Sequence, residues 1–77
     1  MYLERINLMC ALAGISQSKL ASELGISKQC LNNYIKKKNL ISDIVRMGIL
    51  NYFELPPKVL EQHQINLVLK GNKLIVL

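Results

Sequence analysis

Five side chains in one short stretch have the chemistry of hydrogen-bonded recognition: Lys28, Gln29, Asn32, Asn33 and Lys36. They fall within "QSKLASELGISKQCLNNYIKKK", residues 17–38. A carboxamide presents a donor and an acceptor side by side, so Gln and Asn can bond an adenine edge bidentately, and a lysine ammonium donates to guanine acceptors. On a helix these five oppose Leu31, Tyr34 and Ile35, whose spacing marks an inward face. A solvated polar face would account for the lysines. It would not account for the Asn32–Asn33 pair, which is mildly unfavourable inside a helix. Ser27, at the start of the same helix, stands where it can touch a base edge or a phosphate.

A second set suits phosphate. Gln17 and Ser18 open the preceding helix, where backbone N–H groups and the helix dipole favour an anion, with Lys19 beside them. Lys36, Lys37, Lys38 and Asn39 form a second clamp. Cations also suit the end of a helix for solubility alone. Yet from Lys28 to Lys38 there is no acid: Glu4, Glu23, Asp43, Glu54 and Glu61 all lie outside. The chain as a whole carries ten Lys and Arg against five Asp and Glu, net +5, a balance that suits a polyanion.

Placing these side chains requires two short helices at a fixed angle. Ser16 caps a helix over residues 17–24 and Ser27 caps one over 28–37. Ala21 supplies the small contact between them, Gly25 the turn residue that accepts positive φ, and Leu20, Leu24, Ile26, Leu31 and Tyr34 the apolar lock. Around this pair, Leu3, Ile6, Met9, Cys10 and Ala13 predict a first helix over 2–13 that ends at Gly14. Ser42 and Asp43 begin a fourth, running to about Phe53, with Gly48 a weak point in its middle. "LPP" stops it, and Pro57 opens a short fifth helix to about His63.

The segment "QSKLASELGISKQCLNNYIKK" resembles the helix-turn-helix of phage Cro and CI repressors. The matching features are Gln17, Ala21, Gly25, Ile26, Leu31 and the aromatic Tyr34, and the resemblance covers residues 14–38. It implies the same positions, on the helix capped by Ser27, as base readers. The C-terminal hairpin resembles, more loosely, the part of Cro that dimerises. The chain departs from the shortest Cro pattern because residues 41–63 read as helical before any strand begins.

That hairpin is read from "INLVLKGNKLIVL", in which Gly71-Asn72 separates two β-branched and leucine-rich runs. Pairing sets Lys70 opposite Lys73, Leu69 opposite Leu74, Val68 opposite Ile75 and Leu67 opposite Val76. One face then carries Ile65, Leu67, Leu69, Leu74 and Val76, and the other Val68, Ile75 and Leu77. Both are apolar. One can cover the helices; the other, or a free edge, calls for a second copy of the chain. An alternative is that helices 4 and 5 cover both faces.

The remaining residues narrow the function class. Cys10 and Cys30 have no CxxC neighbour and read as reduced thiols; His63 stands alone, without metal-ligand spacing. No nucleophile–base–acid set, glycine-rich phosphate loop or carboxylate pair suggests catalysis, so neither enzyme activity nor a cofactor is expected. Glu4 and Arg5 interrupt any apolar leader, and no apolar run approaches a membrane span. The expectation is one mainly α domain of four to five helices with a C-terminal β-hairpin (α+β), residues 1–63 helical and 64–77 the hairpin. It would be a cytoplasmic, nucleoid-associated repressor of a bacterial host cell, binding double-stranded DNA as a homodimer on a near-palindromic operator, with no small-molecule ligand. The alternative is an antitoxin whose C-terminal half binds a toxin protein.

Overall fold

The computed structural model describes residues 1–36 and 41–77. Five helices are followed by two strands: α1 (Arg5–Ala13), α2 (Gln17–Leu24), α3 (Lys28–Ile35), α4 (Asp43–Phe53), α5 (Lys58–Glu61), β1 (Leu67–Lys70) and β2 (Lys73–Val76). The fold is mostly helical with a C-terminal antiparallel hairpin.

Local sequence sets the helix boundaries. Ser16, Ser27 and Ser42 each adopt extended backbone, and each side chain accepts from the amide three residues on, at 3.0, 3.0 and 3.2 Å. The C-terminal ends repeat a second device. Ile15 N–H donates to Cys10 O (3.0 Å), Ile26 N–H to Ala21 O (3.0 Å) and Leu55 N–H to Leu50 O (2.9 Å). Each is the long-range bond that closes a helix through a left-handed residue, with an apolar side chain behind it. The tripeptide Gly-Ile-Ser at 14–16, and again at 25–27, therefore ends one helix, plugs the core and caps the next. At α4 the left-handed position is Glu54, with φ 56.

Three helix lengths differ from the sequence expectation, one of them α3, which ends at Ile35 with Lys36 as its C-cap rather than running to residue 37. The first helix begins at Arg5 rather than residue 2, because Tyr2 N–H donates to Leu60 O (2.7 Å) and holds the opening residues against α5. α5 ends at Glu61 rather than His63, because Gln62 turns extended. Gly48, expected to weaken α4, sits where a Cβ would come within 3.0 Å of Leu24 Cδ2, so its lack of a side chain lets α2 approach.

One apolar core joins all the elements. Ile6, Met9, Leu20, Leu31, Ile49, Leu50, Val59 and Leu60 are fully buried. The hairpin register is Leu67↔Val76, Val68↔Ile75, Leu69↔Leu74 and Lys70↔Lys73, as the sequence predicts. Gly71 takes φ 64 in the two-residue turn. Among the described residues, α1 packs against both strands. Leu74 is buried, and Ile65, Leu67 and Val76 pack on the core beside it. Leu69, expected on that face, is 48% exposed. Val68 and Ile75 are half-buried and Leu77 exposed.

Candidate nucleic-acid interface

α2 and α3 are joined by the turn Gly25-Ile26-Ser27. Gly25 has φ 73, a conformation costly for other residues. Ala21 is buried, and Leu20 and Leu31 are inaccessible to solvent. Fixing both ends of the turn by caps fixes the angle at which α3 leaves α2, which is what a rigid presenting surface requires.

α3 buries Leu31 and Ile35. At about 100° per residue, Gln29, Asn33 and Lys36 form the stripe farthest from these two and Asn32 flanks it, whereas Lys28, expected on the same face, falls on the Ile35 side of the first turn. Lys28, Gln29 and Lys36 are exposed, while Asn32 and Asn33 are half-buried. No carboxylate lies on α3. Tyr34, expected to point inward, is half-buried. The Cys30 side chain beside it pushes the phenol pKa up. Ser27 accepts from Cys30 N–H, which leaves its hydroxyl proton and one lone pair for a ligand.

At the start of α2, Ser18 is exposed. The Gln17 amide donates to Asn7 Oδ1, tying α2 to α1 and orienting the side chain. Lys19 pairs with Glu23 at 3.1 Å, and that hydrogen bond raises its pKa; the ammonium stays charged but is shared with a carboxylate. Of the second clamp, Lys36 is described and exposed, whereas Lys37, Lys38 and Asn39 lie outside the described residues. Among the described residues, therefore, the structure brings Ser27, Lys28, Gln29, Asn32, Asn33 and Lys36 together on one short helix, with Gln17, Ser18 and Lys19 on its neighbour.

One polar cluster escaped sequence reasoning. Arg5 Nη1 donates to Val59 O (2.9 Å) and to Gln62 O, and Nη2 to His63 O. Its guanidinium carbon lies 4.3 Å from the Tyr2 ring centroid, and Tyr2 Oη lies 2.9 Å from His63 Nδ1. Arg5 thus satisfies the carbonyls at the end of α5. His63, read as a lone surface histidine, is exposed but partnered. No local pattern announces a contact across more than fifty residues.

Comparison with protein-family models, curated proteins and solved structures finds no match. No helix among the described residues is long and apolar enough to cross a membrane.

Proposed function

We propose that α2 and α3 form a helix-turn-helix and that the chain is a sequence-specific, Cro-like DNA-binding repressor acting as a homodimer. The observation that carries this reading is the exposed, acid-free face of α3. It holds Gln29 and Lys36 exposed and Asn32 and Asn33 half-buried, with Lys28 exposed in the first turn, on a helix whose angle to α2 is fixed by Gly25 and two serine caps. Such a helix fits the major groove, where Gln29, Asn32 and Asn33 match adenine edges and Lys28 and Lys36 match guanine acceptors or phosphate. Ser18 and the first amides of α2 then meet one backbone, and Lys36 begins the contact with the next.

The outer hairpin face, with Val68, Ile75 and Leu77, supplies the surface for a second copy. Two α3 helices about 34 Å apart would enter successive major grooves of a near-palindromic operator. Repression follows from occupying a promoter. The test is binding to duplex DNA with Gln29→Ala and Asn32→Ala. If both bind a selected operator as tightly as the parent, the reading is wrong.

The antitoxin alternative draws support from a second apolar surface. Ile44 is 86% exposed, and Met47 and Tyr52 are also exposed along α4. Co-purification with a toxin protein encoded by the adjacent gene would decide for it.

A further inference from the structure

The first turn of α1, α5 and the base of the hairpin enclose an open groove of about 590 Å³. Its polar lining is Arg5, Lys58, His63, Gln62, Gln64 and Asn66, with no Asp or Glu side chain among the described residues. Glu61, adjacent in sequence, reaches Arg46 at 3.6 Å instead. Among the described residues, neither Arg5 nor Lys58 has an acidic partner within 4.0 Å.

Three of the five N–H donors of Arg5 are taken by backbone carbonyls, and its plane rests on Tyr2. Carbonyls satisfy donors without cancelling the charge. The remaining donors include Nε–H, and the guanidinium is held in place before any ligand arrives, so binding costs little further side-chain entropy. Lys58 adds a mobile ammonium, and the carboxamides of Gln62, Gln64 and Asn66 add neutral donors. A fixed guanidinium, an ammonium and several amides around space that no Asp or Glu side chain lines form the donor set of an oxyanion site. The volume exceeds one small anion and leaves room for the molecule that carries it.

We infer that this groove binds a phosphate group, carried by a small phosphorylated molecule or by a nucleic-acid backbone. The inference stands apart from base reading by α3, since it uses none of that helix's residues.

The experiment is a titration of the full chain with inorganic phosphate at constant ionic strength, followed by NMR of the Arg5 Nε–H and the backbone amides of residues 62–66. Saturable shifts confined to these signals are expected. Lys58→Gln, an exposed residue without a structural partner, should weaken phosphate binding by about five-fold, the scale of one partly exposed charge-assisted contact. A parallel titration with a short duplex distinguishes the sources. If the duplex moves the same signals, the backbone is the carrier; if phosphate moves them and the duplex does not, a small molecule is. Shifts reproduced by chloride, or Lys58→Gln binding phosphate as tightly as the parent, would overturn the inference.

Discussion

Gln29 and Asn32 carry the proposed sequence reading, and they were legible from residue type and spacing alone. Each truncation to alanine should lower affinity for the preferred duplex by about 1–3 kcal/mol while leaving non-specific binding unchanged, as measured by fluorescence anisotropy on both DNAs. Lys36→Ala should behave differently. It should weaken binding to every sequence and reduce the salt slope by about one. A residue outside the interface gives a separate test. Burial pushes the Cys10 thiol above its ordinary 9.0. A raised folded pKa means that the native state holds its proton longer. The stability this contributes is therefore complete below pH 9.0 and is lost as pH rises through the folded value. Urea unfolding on either side of that pH should show a steeper alkaline decline for the parent than for Cys10→Ala. Arg5 marks the limit of residue-level reading. In the sequence it is one charge interrupting an apolar run; its work, holding the carbonyls of Val59, Gln62 and His63, appears only when distant segments meet.

At the scale of elements, the limits of α2 and the start of α3 follow from Ser16, Gly25 and Ser27, because capping is local chemistry. Gly25→Ala should cost about 1 kcal/mol, since φ 73 strains any L side chain although a Cβ would meet nothing within 4 Å. Ser27→Ala should cost about as much through the lost cap. Thermal unfolding checks both, and a Gly25→Ala loss beyond about 3 kcal/mol would mean that the turn does more than set φ. Gly48 shows why sequence reading fails elsewhere. Helix propensity marks it as a flaw, whereas a Cβ there would meet the Leu24 methyl at 3.0 Å, which makes it a contact point. Propensity is local and helix packing is not. The late start of α1 has the same origin, since the Tyr2 bond to Leu60 O depends on where α5 lies.

For the molecule as a whole, alternation along two strands revealed the hairpin register, and with it the two apolar faces. What alternation cannot reveal is the covering helix, which is α1. The faces should respond differently to substitution. Leu74→Ala empties a buried site and should destabilise the fold by about 2–5 kcal/mol. Val68→Lys, on the outer face, should leave the monomer folded and abolish dimerisation in sedimentation equilibrium. A monomeric parent would remove the hairpin from the dimer account and strengthen the antitoxin alternative.

The central claim is that two α3 helices read one DNA site. Its most direct test is selection of binding sites from randomised duplexes by the full chain, with Asn32→Ala in parallel. The expected outcome is a near-palindrome with half-sites about 10 base pairs apart and relaxed preference at one position of each half for Asn32→Ala. Recovery of no common sequence, or of the same sequence with undiminished preference by Asn32→Ala, would contradict it.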